Sequence, residues 1–497
     1  MKITQIKIRN YKALKGENTF DLSSDLVFLV GENNTGKTTL LEAVSFLKSG
    51  LPEKRKIEDF KNKQASETDF VSVQIKIQGN ITSVIDDFSE EKYKKYVYKE
   101  NEVETVLICR SSEQRTVKQG TKDIELNEKK ITLWNSETNN FENASGLDTV
   151  IGTLFESQFV WSDTNPDDVT DFGSTKICGK LLNNVVGDFY QTEKWKSFVK
   201  SHKATFHEGD DSLSKKSEAL EQEIQKVLAE QYGDAKVKFD FNLPEAKAFF
   251  TSTSIKVDDG VETDLKDKGS GMQRAFALAI IQTYAKFLTK HETDESKQKP
   301  LFFFIDEPEI SLHPKAQKIL MGALKEISKN QQIFLTTHSP YILREFSASD
   351  HNMFIFAKDE QGISYKPSVD FKLFSYSPTW GEINYFVYDL PTIEFHDELY
   401  GFLHERYISS SSDQNDADNR GKQTYFEKNY LQPKLTSTKK WTPEFGGVAK
   451  NEEDATLATF IRNKVHHPEN KTMQSFCFTD AELKASIVGL LNLISNP

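Results

Sequence analysis

Gly31-Glu-Asn-Asn-Thr-Gly-Lys-Thr38 is the stretch on which the fold turns. An apolar run, Leu26–Val30, leads into it, and a helix-like stretch, Thr39–Lys48, leads out. Glycines at both ends let the backbone curl until successive N–H groups face one point, the geometry that cradles an anion at a helix N-terminus. Lys37 adds a point charge for β- and γ-phosphates, and the Thr38 hydroxyl can ligate Mg²⁺. A strand before and a helix after are the context a bare pattern match lacks. The segment reads as a Walker A loop. Gly31, Asn33, Asn34, Gly36, Lys37, Thr38 and Thr39 are then the candidate contacts to the phosphates of ATP.

Further along, Leu301-Phe-Phe-Phe-Ile-Asp306-Glu307 is a continuous apolar run closed by two carboxylates. Such a run suits a strand covered on both faces, as in a parallel sheet. At its end Asp306 would hold Mg²⁺, and Glu307 would orient and polarise the attacking water as general base. A third apolar strand, Gln332–Thr336, runs into Thr337-His338-Ser339-Pro340, and in that position His338 reads as a γ-phosphate sensor. Lys268-Gly-Ser-Gly-Met-Gln-Arg274 opens an expected amphipathic helix, Ala275–Leu288. Small residues at a helix N-terminus leave N–H groups free for an anion.

This order of motifs resembles the ABC-type ATPases, in the branch that holds the SMC, RecF and OLD proteins. Gly269-Ser270-Gly271-Met272-Gln273 matches the degenerate signature of that branch. The resemblance implies an α/β, SMC/RecF-like nucleotide-binding head that sandwiches two ATP molecules between two copies. Ser270, Gly271 and Gln273 would then contact the nucleotide of the opposite copy. It also makes Pro308–Pro314 the D-loop segment, with Ser311 and His313 near the seam. For the Q-loop glutamine, a further Mg²⁺ position, Gln158 is the first choice and Gln74 the second.

The spacing of the motifs predicts the domains. Residues 1–143 and 261–395 form the head, 144–260 a helical insertion, and 396–497 a mostly helical C-terminal region. Phe70–Gln78 and Glu104–Arg110 read as strands of the head, as does Met1–Asn10, near a sheet edge. Leu213, Leu220 and Val227 repeat at seven in a Glu/Lys-rich setting, an amphipathic helix that either packs on the head or forms a short dimerising arm. Asn165–Asp168 is a loop signal. The Ser/Asp/Asn/Gly-rich run 409–422 is expected as a flexible linker.

Length admits two or three domains. The cysteines, Cys109, Cys178 and Cys477, lie far apart without a Cys-x-x-Cys, which points away from a disulfide framework or a zinc site. No run reaches the length of a membrane span, and the expected location is the cytoplasm, with no membrane partner. The formal charge of −12 argues against a wholly basic surface for nucleic acid. Lys54–Lys63 and Glu91–Lys99 are local basic stretches. In the second, Tyr93, Tyr96 and Tyr98 are placed to stack bases or to lie on a solvated face.

In the C-terminal region Glu394, His396, Asp397 and Glu398 cluster in sequence, but neighbours on a helix do not share a face, which disfavours a metal site. Asp416-Ala-Asp418 resembles the Asp-x-Asp of the Toprim domain of OLD-family nucleases, yet no apolar strand precedes it. Arg462-Asn463-x-x-x-His467 resembles the short motif of HEPN ribonucleases. There the arginine would stabilise a phosphorane-like transition state and the histidine would move a proton at the RNA 2′-hydroxyl. Docking, oligomerisation and a plain helix C-terminus remain open for the same residues.

The Gly-Glu-Ile-Asn-Tyr segment at 381–385 and the C-terminal motif resemble those of stand-alone ATPase subunits in bacterial antiphage systems of the PARIS and Septu kind. That resemblance implies an ATP-driven sensor or scaffold, homodimeric or larger. It would control an effector, a nuclease from the same operon, on a phage protein or nucleic acid as trigger. A self-contained ATP-regulated nuclease and a RecF-like DNA-repair ATPase are the rival expectations.

Overall fold

The computed structural model describes residues 1–86, 91–119, 122–143, 146–162, 189, 191–231, 235–243, 255–273, 275–277, 279–280, 283, 300–359, 362–368, 371–436 and 438–495. Contacts divide the chain into two units. The first is Met1–Phe159, Lys299–Pro308 and Gln332–Pro497; the second is Val160–Gln298 and Glu309–Gln331.

Two sheets make up one part of the first unit. Its elements are β1 (Lys2–Tyr11), β2 (Leu14–Asp21), β3 (Leu26–Gly31), α1 (Lys37–Ser49), β4 (Ser72–Gln78), β5 (Val103–Ser111), β6 (Ile131–Asn135), β7 (Asn140–Glu142) and β8 (Glu156–Val160). They continue with β9 (Leu301–Ile305), β10 (Gln332–Thr337), β11 (Asn352–Asp359) and β12 (Gly362–Pro367). One sheet runs β7-β6-β5-β4-β1-β2, with the short strand Tyr98–Glu100 added on β5. Its pairings are antiparallel, and β4 shows the alternation expected of a half-covered sheet, with Val73, Ile75 and Ile77 buried between half-buried neighbours.

The other sheet runs β8-β9-β10-β3-β11-β12. Strands β9, β10, β3 and β11 are mutually parallel, and every residue of β3, β9 and β10 is buried. Continuous apolar sequence is what such doubly covered strands require. The two sheets are joined by a buried amide. Ile3 N–H donates to Gln332 Oε1 (2.8 Å), and Gln332 Nε2 donates back to the Ile3 carbonyl (2.9 Å). Helix α1 buries Leu40, Leu41, Val44 and Leu47, and its last turn is closed by Arg110 of β5, which donates from Nε to the Leu47 carbonyl (2.9 Å). A guanidinium there satisfies an orphan carbonyl at the negative end of the helix dipole.

In the second unit, α2 (Leu213–Gln231) carries the heptad positions, and Leu213, Leu220 and Val227 are 41%, 57% and 45% exposed. The Glu221 side of α2 is covered, accepting the Phe239 N–H at 2.8 Å. Helix α3 (Pro314–Ser328) follows the D-loop segment and is N-capped by His313, with Pro314 at its first position. The Asn165–Asp168 signal, Cys178, Arg274 and most of the expected helix Ala275–Leu288 lie outside the described residues.

The C-terminal part of the first unit packs α4 (Trp380–Tyr388), α5 (Ile393–Ser409), α6 (Leu457–His466) and α7 (Asp480–Ser495) around Phe395, Leu399, Phe426, Phe460 and Ile487. Small two-stranded pieces, Thr438–Trp441 with Glu453–Thr456 and Glu444–Phe445 with Val448–Ala449, interrupt the helices. Glu453–Thr456 is strand, and the Thr456 side chain then N-caps α6.

Two expectations are corrected here. The run 409–422 is not a bare linker: Gln414–Arg420 is a helix N-capped by Asp413, and Arg420 donates to the Tyr407 carbonyl (3.1 Å) and pairs with Asp416 (2.7 Å). Capping and an i,i+4 ion pair offset a composition that favours coil. Tyr93 and Tyr96 are 2% and 0% exposed, and the Tyr96 hydroxyl donates to Glu142, so neither is placed to stack a base. Asp416 and Asp418 sit on the same helix, in keeping with the lack of an apolar strand before them.

Candidate nucleotide site

Three parallel strands end side by side, because β10 lies between β9 and β3 with Ile305 opposite Leu335 and Thr337 opposite Val30. Their C-terminal ends carry the Walker A loop, the two carboxylates and the histidine. That is the edge at which open parallel sheets bind ligands.

The loop is shaped by its glycines. Gly31 has φ 151°, and a Cβ there would run into the carbonyl oxygen of Phe356 on β11. Asn34 at φ 62° and Gly36 at φ 93° complete the curl before α1 begins at Lys37. A cavity of about 490 Å³ opens beside it, lined by Asn33, Asn34, Gly36, Lys37, Thr38, Thr39, Glu307 and Ala13 from the β1–β2 turn. The Lys37 ammonium is folded over the loop and donates to the carbonyls of Gly31 (2.9 Å) and Glu32 (2.7 Å).

Asp306 is 2% exposed, and its Oδ1 accepts from the hydroxyls of Thr38 (2.9 Å) and Thr336 (2.7 Å). Glu307 adopts φ 44°, a left-handed conformation that costs a non-glycine residue on the order of 1–3 kcal/mol. Its N–H donates to Thr336 Oγ1 (2.9 Å), and its Oε1 lies 3.1 Å from His338 Nε2. Thr336 therefore pins both carboxylate residues from the neighbouring strand. Sequence reasoning passed over it, because a hydroxyl at the end of an apolar strand does not say which strand lies beside it.

The oxygens present suit Mg²⁺, an ion that takes one or two protein oxygens and leaves its other positions to water and phosphates. Thr38 and Asp306 are the pair that would hold it. The donor set, a hydroxyl and a carboxylate 2.9 Å apart, is that of a hard cation. Gln158 lies on β8, beside β9, and is not among the residues lining the cavity; Gln74 is in the middle of the antiparallel sheet, opposite Lys7 and Cys109.

Burial, and then the Lys37 charge, hold the His338 imidazolium below its ordinary 6.5, against the opposing pull of Glu307 and Asp306. A lowered value keeps the ring neutral at pH 7, so protonation begins to interfere only in more acidic solution. ATP turnover is accordingly expected to hold its plateau down through pH 6.5 and fall below it. The pH profile of kcat measures this. An acid limb centred above 6.5, or one that persists in His338→Gln, would contradict the assignment to His338.

Past the histidine, Ser339 caps the short helix Pro340–Leu343 by accepting from the Tyr341 N–H (3.2 Å). The Trp380 indole on α4 donates to the Pro340 carbonyl (3.2 Å), and the Arg344 guanidinium lies 4.7 Å from the centre of the Trp380 ring. Arg344 also reaches Glu394 on α5 at 3.5 Å. The histidine segment is thus tied to the first two C-terminal helices.

Ser270, Gly271 and Gln273 belong to the second unit. Ser270 is exposed at the start of a helical turn, and Gln273 Nε2 donates to the carbonyls of Lys266 (2.8 Å) and Lys268 (2.7 Å). A Cβ on Gly271 would lie 2.7 Å from the Ser311 carbonyl, so glycine is what lets the signature and D-loop segments approach.

In the C-terminal region Arg462 Nη1 donates to Gln423 Oε1 (2.9 Å) and Asn463 Oδ1 (3.2 Å), while His467 pairs with Glu469 (3.1 Å). On α5, His396 Nδ1 lies 3.4 Å from Asp397 Oδ1, and each also has a partner outside the helix. His396 is buried, 3.1 Å from Ser486 Oγ, and Asp397 turns to His466 (3.0 Å). Among the described residues no group of three or more His, Cys, Asp or Glu is arranged to hold a metal, and no helix is long and apolar enough to cross a membrane.

Residues 1–343 match the family described as AAA ATPase domain. The chain is 26% identical over 389 residues to the Old nuclease of Escherichia phage P2, covering 75% of this chain and 62% of that protein. It is 23% identical over 372 residues to Endonuclease GajA of Bacillus cereus (strain VD045), covering 69% and 57%. It thus spans less than two thirds of the length of each. Among solved structures, an SMC head bound to the C-winged helix domain of ScpA overlays with a TM-score of 0.42 at 16% identity, covering 73% of this chain and 97% of that one. With its family match extending from the first strand past the histidine segment, this chain belongs to the AAA ATPase domain family and is an ATPase.

Proposed function

We propose that the chain is the ATP-hydrolysing sensor or scaffold of an antiphage defence system, assembling through ATP-sandwiching heads and controlling an effector nuclease. The observation that carries the reading is the linked set Thr38–Asp306–Thr336–Glu307–His338 at the edge of the Lys37 cavity. Asn33, Asn34, Gly36, Lys37, Thr38 and Thr39 would bind the phosphates, and Mg²⁺ on Thr38 and Asp306 would neutralise their charge. Glu307 would take a proton from the attacking water while His338 orients its carboxylate and senses the γ-phosphate. Ser270, Gly271 and Gln273 would complete the nucleotide site of a second copy. The antiphage setting is supported by similarity to GajA and to the phage P2 Old nuclease.

The effector control would run through Trp380. Its indole touches the segment that follows His338, and its helix leads into α5. Trp380→Phe keeps the ring and removes the donor. It is expected to leave ATP turnover within about twofold of the parent while abolishing any nucleotide-dependent change in hydrogen exchange over residues 393–409. An unaltered exchange response in the variant would remove Trp380 from the route.

A nuclease within this chain is the second reading, favoured by the names of the two relatives and by His467 standing 45% exposed. The deciding experiment is RNA and DNA cleavage by the purified chain with Mg-ATP. Absence of cleavage with ATP-dependent assembly of Glu307→Gln supports the sensor. Cleavage that disappears in His467→Ala supports the nuclease, and ATP-strengthened, salt-sensitive DNA binding supports the repair reading.

A further inference from the structure

Gly269-Ser270-Gly271 is built of small residues that supply no anchor of their own, yet the segment is tied down on both sides. On its N-terminal side the anchor is a charge. Lys268 keeps only 9% of its side chain exposed, against 49% for its partner Asp259. The ammonium donates to Asp259 Oδ1 (2.5 Å) and to the Val261 carbonyl (2.6 Å). Both acceptors belong to the tip of an antiparallel hairpin that pairs Lys256–Asp258 with Glu262–Asp264. That tip is itself a tight turn, in which Gly260 has φ 115° and donates its N–H to Asp258 Oδ1 (2.9 Å).

One helical turn, Leu265–Asp267, joins the hairpin to the signature. Leu265 is 3% exposed, and its N–H donates to the Ile255 carbonyl (2.8 Å) at the base of the hairpin. From the C-terminal side Gln273 reaches back to the carbonyls of Lys266 and Lys268. The Ser311 carbonyl, packed against Gly271, adds the D-loop segment as a third support. Between these ties Gly269 and Ser270 stay exposed. All of these residues lie in the second unit, whereas Lys37 and Asp306 lie in the first.

We infer that Lys268 is a positioning residue for ATP hydrolysis. Clasped on the hairpin tip, it holds Ser270 in the pose that meets the nucleotide of a second copy. The inference rests on the ATP-sandwich reading above. Its physical basis is preorganisation: a hydroxyl contributes to a transition state when it is in place before the nucleotide arrives. A Gly-Ser-Gly backbone has much conformational freedom to lose, so its pose has to be imposed from outside. An exposed ion pair would impose little. A sheltered ammonium with a carboxylate and a carbonyl on one turn is instead a charge-assisted clasp.

The experiment uses the full chain. Lys268→Met keeps the stem of the side chain and removes its donors. It is expected to lower kcat at least ~10-fold, the scale of misplacing a positioned group, with affinity for a fluorescent ATP analogue within about twofold of the parent. Lys268→Arg keeps charge and donors and is expected to recover most of the rate, while Asp259→Ala reproduces the loss. Complementation is the readout that a merely loosened fold would not give. Lys37→Ala lacks the nucleotide but carries an intact signature, and Lys268→Met has the reverse defect. Mixed in equal amounts, they are expected to regain about a quarter of parental turnover, because about half of randomly paired dimers are mixed and each has one intact site of two. Parental kcat in Lys268→Met, a parallel loss of ATP affinity, or no recovery in the mixture would overturn the inference. Ser270→Arg mixed with Lys37→Ala tests the sandwich separately. Recovery there but not with Lys268→Met removes Lys268 alone, and recovery in neither mixture removes the sandwich as well.

Discussion

Lys37→Ala is expected to weaken ATP binding at least ~100-fold, on the order of 3 kcal/mol, which is the upper range for a charge-assisted hydrogen bond removed from its partner. The side chain is 4% exposed and already folded over the loop, where it donates to Gly31 and Glu32. Its loss therefore removes a cation from the cavity and one side-chain donor from each of two loop carbonyls, the Glu32 carbonyl keeping the Thr35 hydroxyl (2.7 Å). Both effects act on the same ligand. Titration with a fluorescent ATP analogue would measure the change, and circular dichroism would confirm that the sheet remains formed. Retained binding within about threefold of the parent would take Lys37 out of the phosphate site.

Glu307→Gln is expected to bind ATP with parental affinity and to turn it over at least ~100-fold more slowly, the scale of losing a positioned general base. The substitution preserves shape and the Thr336 bond to the backbone N–H, so the loop geometry survives. What disappears is the proton acceptor 3.1 Å from His338. The strained φ of 44° at this residue argues in the same direction, since a left-handed non-glycine residue at a ligand edge is kept for what it positions. Single-turnover measurements separate the chemical step from product release. Equal turnover by variant and parent would assign the base elsewhere.

The local parts of the site were legible because each is a contiguous segment whose residue types demand one backbone. Gly31 and Gly36 need positive φ, and Leu301–Ile305 needs cover on both faces. Thr336 was not legible, since nothing local to Gln332–Thr337 states which strand lies beside it. The basic, tyrosine-rich stretch at 91–99 misled for the opposite reason. Its tyrosines read as exposed, but Glu142, more than forty residues away, draws Tyr96 and Lys95 inward. The 409–422 run misled because composition is blind to a cap and an ion pair.

What the amino-acid order alone determined is the phosphate loop, the two apolar strands that end in Asp306-Glu307 and in Thr337-His338, and the helical character of α1, α5 and α6. These follow from short-range sterics and hydrophobic period. Tertiary structure alone decided that β10 lies between β9 and β3, and so that one threonine holds both acidic residues and one histidine meets Glu307. It also decided that Trp380 meets Pro340, and that the Ser311 carbonyl lies against Gly271. Strand order and side-chain convergence depend on residues far apart in the chain, and they are settled only when burial of the apolar faces selects which elements become neighbours.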